Sequence, residues 1–151
     1  MSVFVDTNVL VYARDARDPE KWQRARTWME YLWSSREGRL SAQVLNEYYV
    51  TVTGKLVPGL PPAEARADIE RLLTWSPLPV DATLIRDALE IGADGSFSHW
   101  DALIVAAAQR AGCESLLTED LADGRTIDSL TVINPFTHDP PVAGEQSAGN
   151  G

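Results

Sequence analysis

The stretch VFVDTN, residues 3–8, decides how the rest of the chain is read. Val3, Phe4 and Val5 run straight into Asp6, Thr7 and Asn8, and Val9 to Tyr12 turns apolar again. A short continuous apolar run suits a strand covered on both faces, as in a parallel sheet. An ionised carboxylate between two such runs is costly unless it is partnered. Asp6 therefore either caps a following helix or faces something positive.

Outward from this point, short apolar runs alternate with longer helical patterns. Residues 2–5 predict a strand, and 8–13 a short helix with Thr7 near its start. Residues 20–36 place Trp22, Ala25, Met29, Leu32 and Trp33 close to helical spacing, with Gly38 as the expected stop. Residues 39–41 predict a brief strand. Ser41 then caps a helix to about residue 55 with Val44, Leu45, Tyr48 and Val52 inward. The Pro61-Pro62 pair opens a helix expected to bury Ile69, Leu72 and Leu73. Residues 78–80 predict a strand, and Asp81 caps a helix carrying Leu84, Ile85, Ala88 and Leu89, broken from Gly92 to Gly95. Ser98 begins another, with Asp101 three residues on in the manner of a capping box. The first turns of that helix are nearly all apolar, so it belongs at the centre. Residues 115–118 and 130–133 are the last predicted strands. Such alternation predicts an α/β layer fold with a mostly parallel sheet. One domain is expected over residues 1–137, with 138–151, rich in Pro, Gly and Ser, as a disordered tail.

Hydrophobic residues at 44% and charged residues at 23% are ordinary for a soluble globular domain. No apolar run approaches the roughly 18 residues of a membrane span, and no basic leader precedes an apolar stretch. The lone Cys113 excludes an internal disulfide and a cysteine-based zinc site, so a cytoplasmic protein is expected, with Cys113 as a small core residue. A net charge of −9 weighs against nucleic acid. The charge is uneven, however. Residues 1–56 hold eight Lys and Arg against seven Asp and Glu, whereas 57–151 hold five against fifteen. The basic stretch from Arg14 to Arg39 is either a solvated helix face or a phosphate-contacting surface. Arg14, Arg17, Lys21 and Arg24 are its RNA-binding candidates, with His99 at a pocket edge.

Sites in parallel sheets lie beyond the carboxyl ends of the strands. Asp6 follows the first strand, and Asp120 follows Leu116-Leu117-Thr118. Glu47 stands among apolar and aromatic neighbours, and Asp101 between Trp100 and an apolar run. Each acid alone has a simple explanation. Asp6 suits a cap, Glu47 a solvent-facing position, Asp101 a helix start, and Asp120 and Asp123 a turn before Gly124. Together they fall where a parallel sheet would gather them. Converging carboxylates repel unless a cation neutralises them, and hard oxygen ligands select Mg2+ (or Mn2+). Such a set suits metal-assisted phosphodiester hydrolysis. Thr7, Asn8, Asn46 and Thr118 are placed to orient the carboxylates. There is no Gly-rich phosphate loop of the Walker kind, and no nucleophile elbow to serve a serine triad.

With FVDTNVLVY at 4–12, SAQVLNEYY at 41–49, FSHWDALIVAAA at 97–108, LLTEDLADG at 116–124 and VINPF at 132–136, the chain resembles the PIN-domain nucleases. Within them it is similar to the VapC-type toxins of toxin–antitoxin pairs. The resemblance implies a three-layer α/β/α sandwich around a mostly parallel sheet and a Mg2+- or Mn2+-dependent endoribonuclease. It assigns Asp6, Glu47, Asp101 and Asp120 as the catalytic, metal-binding acids, with Asp123 as a further, less constant one. It also implies RNA as substrate, a homodimer, and a cognate antitoxin lying over the active-site groove. Trp22, Trp28, Met29 and Trp33 are candidates for an apolar groove holding such a segment, or else core and dimer contacts. Two other readings stay open. One is a PIN-like module that binds RNA or protein without cleaving. The other is a phosphotransfer domain, weakened by Asp6-Thr-Asn in place of Asp-x-Asp and by the absence of any lysine after Lys55.

Overall fold

The structure, a computed structural model, describes residues 1–142. Five strands, β1 (Val3–Val5), β2 (Gly38–Arg39), β3 (Ser115–Leu117), β4 (Thr126–Ile127) and β5 (Leu130–Ile133), form one sheet in the order β2-β1-β3-β5-β4. Only β4 runs antiparallel, against β5. Val3, Phe4 and Val5 face Ser115, Leu116 and Leu117 in register. Successive strand residues point to opposite faces, and all six of these are buried. Both faces of the sheet centre are therefore covered.

The helices are α1 (Thr7–Tyr12), α2 (Pro19–Ser35), α3 (Ala42–Gly54), α4 (Pro62–Leu72), α5 (Ala82–Ile91) and α6 (His99–Arg110). Ser41, Asp81 and Ser98 cap α3, α5 and α6 through their side chains. In α6 every residue from Ala102 to Ala108 is buried, as its apolar sequence predicts. The chain leaves β1 toward β2 on one side, then crosses to β3 on the other. The switch point thus lies between β1 and β3, where open α/β sheets place their crevices.

Several expectations need correcting. Residues 78–80 do not form a strand: Leu78 makes one parallel bridge to Ser41 and no more. Pro77 and Pro79 flank it, and neither has an N–H to extend a ladder. In α4 the inward positions are Ala65, Asp68 and Leu72, while Ile69 is half-buried and Leu73 is exposed at the start of a 3-10 turn, Leu73–Trp75. In α5 Leu84 and Ala88 face inward, leaving Ile85 and Leu89 exposed. The antiparallel hairpin of β4 and β5 was not foreseen, because two-residue strands carry little periodicity.

Gly38 does not stop α2. Arg36 takes the left-handed cap at φ 60°, and Gly38 lies in β2 beneath the Trp75 indole, which also packs on Trp33 with ring centres 5.0 Å apart. A Cβ on Gly38 would enter the Trp75 ring. Gly38→Ala is expected to lose about 1–3 kcal/mol of stability through overpacking, read as a lower urea midpoint.

Nor do the tryptophans of α2 line one groove. Trp28 is core, and its indole N–H donates to the carbonyls of Pro135 and His138. Trp22 lies under the Arg26 guanidinium. Buried Met29 and half-exposed Trp33 border a separate cavity. Within the expected tail, Asp139 pairs with Arg24 at 3.0 Å; residues 143–151 lie outside the described residues. Cys113 is buried just after Gly112, whose φ is +72°, and burial pushes its thiol up to about 11. Among the described residues no helix is long and apolar enough to cross a membrane.

Candidate active site

Asp6 is buried, 6% exposed, at the carboxyl end of β1. It caps α1, with Oδ1 accepting from the Thr7 backbone N–H at 2.7 Å. The cap alone does not account for it. Oδ2 accepts from the Thr118 hydroxyl at 2.9 Å, just past β3. Burial pushes the carboxyl up to about 7; the Thr118 and Thr7 hydrogen bonds pull it down, and the charges of Asp120 and Glu47 push it up again. None of these influences comes from a Lys, Arg or His.

Thr118 is the hub. Its fully buried hydroxyl also accepts from the Asn8 amide at 3.0 Å and from the Asp120 N–H at 3.1 Å. The Asn8 amide donates to Asp120 Oδ2 at 3.1 Å and reaches Asp6 Oδ2 at 3.5 Å, while its carbonyl accepts from the Glu119 N–H. Thr7 donates through its hydroxyl to Glu47 Oε2 at 2.9 Å. Asp101, whose N–H is held by Ser98 at 3.1 Å, acts on Asp120 through its charge. Burial raises the Asp120 carboxyl, the Asn8 bond opposes this, and the Asp101, Glu119 and Glu47 charges add to the rise. Asp6, Glu47, Asp101 and Asp120 thus share one electrostatic cluster, drawn from four elements. Thr118→Val would remove one donor and one acceptor at its centre. The expected loss is about 1–3 kcal/mol of stability, checked by denaturant unfolding.

Asp123 is not part of this cluster. Its oxygens accept from the Asn134 N–H at 2.9 Å and meet the His138 ring at 2.7 Å, and these contacts hold its carboxyl below the usual range. The turn at Gly124 leads the chain on to β4, and Asp123 ties down the C-terminal segment through Asn134 and His138. Asn46 is exposed and borders the cleft beyond Glu47, outside the hydrogen bonds that hold the acids.

The basic candidates are mostly engaged elsewhere. Arg14 makes a two-pronged bond to buried Asp68 at 2.8 and 2.9 Å, beside a cavity distinct from the Glu47 cleft. Arg17 pairs with Asp15 and Arg24 with Asp139. Lys21 pairs with Glu119 at 2.7 Å, next to Asp120, and lies over the Tyr12 and Phe136 rings. His99 is exposed against Trp100. Gln43 was missed by sequence reading: its amide donates to Glu47 Oε1 at 3.0 Å and reaches the Trp100 carbonyl at 3.4 Å. Its place one helical turn before Glu47 was the available signal.

The donor set is all oxygen and, among the described residues, no Lys, Arg or His pairs with its buried carboxylate, which is the chemistry of a hard divalent ion. Among the described residues no three His, Cys, Asp or Glu side chains stand ready as a ligand cage. A site for Mg2+ does not need one, since that ion keeps several waters and takes one or two carboxylates directly. The residues fit a sparse site completed by water.

The PIN domain family model matches residues 3–122. No curated protein sequence matches the chain. Among solved structures, the chain is similar to Mycobacterium tuberculosis VapC20, described as a sarcin–ricin loop cleaving toxin, at 26% identity and a TM-score of 0.58, covering 76% of this chain and 87% of that one. A toxin–antitoxin complex from Klebsiella pneumoniae shares the fold at 17% identity and a TM-score of 0.59, covering 93% and 100%. VapBC2 from Rickettsia felis, bound to a DNA fragment from its promoter, does so at 17% and 0.56, covering 87% and 97%.

Proposed function

Because this chain belongs to the PIN-domain family, we propose that it is a metal-dependent endoribonuclease and the toxin of a toxin–antitoxin pair. One observation carries the reading: a buried carboxylate, paired with no cation among the described residues, at the sheet's switch point, tied through Thr118 and Asn8 to Asp120 and through Thr7 to Glu47. Asp6, Glu47, Asp101 and Asp120 would hold Mg2+ (or Mn2+). That ion, when bound, supplies Lewis acidity toward a phosphodiester and neutralises the acids. The rest falls to the chain. Thr118, Asn8, Thr7 and Gln43 fix the carboxylate orientations. RNA backbone contacts fall to Lys21, whose partner Glu119 adjoins Asp120, and to exposed His99, two residues before Asp101, because both oxygens of Asp68 hold the Arg14 guanidinium.

RNA as substrate is supported by the description of VapC20 as a sarcin–ricin loop cleaving toxin. A cognate antitoxin is supported by the two toxin–antitoxin assemblies that share the fold. Pairing of two copies in the cytoplasm belongs to the same proposal, and the exposed Ile85 and Leu89 of α5 favour it. The purified chain is expected to cleave RNA in Mg2+ or Mn2+ and to stop on addition of a chelator. A second reading is a module that holds RNA without cleaving it. Calorimetric titration with Mn2+ at neutral pH separates the two, since absence of binding selects the module.

A further inference from the structure

We propose that the cleft beside Glu47 is a nucleobase subsite, in which an unpaired base next to the scissile phosphate stacks on Trp100. The proposal rests on the nuclease reading of the acids and goes beyond it by naming what the neighbouring surface holds. The cleft has a volume of about 800 Å³ and shares Thr7 and Glu47 with the acid cluster. Trp100 stands at its wall with 63% of its surface exposed, although it directly precedes Asp101 and the most buried helix of the fold. A large indole left open there is unexplained by packing.

Its lining is mixed in the way a base requires. Trp100, Val50, Val80 and Leu103 provide apolar surface, the Asn46 amide provides a donor and an acceptor, and the Gln43 carbonyl a further acceptor. Gln43, Asn46, Glu47, Val50 and Thr51 recur at helical spacing along α3, so one face of a rigid helix presents them. Lys55 caps the same helix, about 12 Å along the axis from Glu47, and supplies a cation for the onward phosphate. The Gln43 amide also bonds both the Glu47 carboxylate and the Trp100 carbonyl, which fixes the ring's backbone relative to the acid. Aromatic platforms hold unpaired bases by their π-faces. A duplex keeps its bases stacked inside and offers none to such a ring, so the site selects single-stranded segments.

Binding is measured by fluorescence anisotropy, with labelled short homopolymer RNAs of A, C and U, on the full chain in chelator, so that no cleavage intervenes. Trp100→Ala is expected to weaken binding about five- to hundredfold, and Trp100→Phe to recover most of the loss. One position of the oligonucleotide, made abasic, should cost the parent as much as Trp100→Ala does and cost the variant little more. Three results overturn the subsite: no binding by the parent, an unchanged Trp100→Ala, or equal losses for intact and abasic RNA. A Trp100→Ala protein whose mass falls by half in sedimentation also overturns it, because the indole is then covered by a second copy. Failure of the nuclease reading shows separately, as absence of cleavage by the parent in Mg2+ or Mn2+.

Discussion

Asp6→Asn is expected to abolish RNA cleavage, with a loss of about a thousandfold or more, while leaving the metal-free protein at least as stable as the parent. The activity loss follows from removing the one acid that is both buried and bonded to the Thr118 hub, where charge stabilisation is worth several kcal/mol. The stability result follows from the same burial. The folded value of this carboxyl is raised from 3.8 to about 7. Between those values the folded state holds a proton that the unfolded chain has released. The stability contribution is therefore full below about pH 4, falls as pH rises toward 7, and is level above. Over roughly three pH units this amounts to an upper bound of about 4 kcal/mol. Thermal melts in chelator from pH 4 to 7 should show the parent declining and Asp6→Asn flat by comparison. Added Mn2+ should stabilise the parent by mass action, about 2.7 kcal/mol at a hundredfold excess over Kd, and the variant far less. A variant that cleaves like the parent would remove Asp6 from the chemistry.

The largest loss of stability is expected at a position with no part in that chemistry. Asp68 is buried on α4, where it accepts from Arg14 on both oxygens and from the Tyr48 hydroxyl and Arg71. Burial pushes its carboxyl up, but the Arg14 and Tyr48 hydrogen bonds and the Arg14 and Arg71 charges outweigh it, and the net shift is downward. Asp68→Ala leaves Arg14 and the buried Tyr48 hydroxyl without their acceptor. Breaking a buried pair in this way costs about 3–5 kcal/mol, a large share of the roughly 5–15 kcal/mol that holds a domain folded. Urea unfolding should show the drop. Arg71→Ala should cost under about 1 kcal/mol, because that side chain is 62% exposed. The pH sign is opposite to that of Asp6. The stabilisation from Asp68 is present above the unfolded value of 3.8 and is lost as pH falls through its lowered folded value.

These two aspartates mark how far sequence reading carried. Asp6 was legible because an acid at the end of an apolar run is a local anomaly. Asp68 was not, because in Ala-Arg-Ala-Asp-Ile-Glu it resembles any polar helix residue. Its partners Arg14 and Tyr48 lie 54 and 20 positions away, and only the exposed Arg71 is near in sequence. The Arg14 pairing was hidden for the same reason: a basic residue in a basic stretch gives no sign that its acceptor lies on α4. Gly38 read as a helix stop because glycine often is one, whereas its role is the close approach of Trp75 from a distant turn.

What the sequence determined by itself was periodic or local: the strand runs, the caps at Ser41, Asp81 and Ser98, the central α6, and the placing of Asp6 and Asp120 at strand ends. Side-chain period and cap chemistry act within a few residues, so they are written where they operate. Only the tertiary structure decided which of the acids meet, that Asp123 ties down the C-terminal segment, that Arg14 pairs with Asp68, and that Trp100 stays open beside Glu47. Those outcomes depend on how strands β1 and β3 come to lie side by side and on which helix faces then oppose one another. The contacts that settle them join residues tens of positions apart, where no local pattern records the pairing.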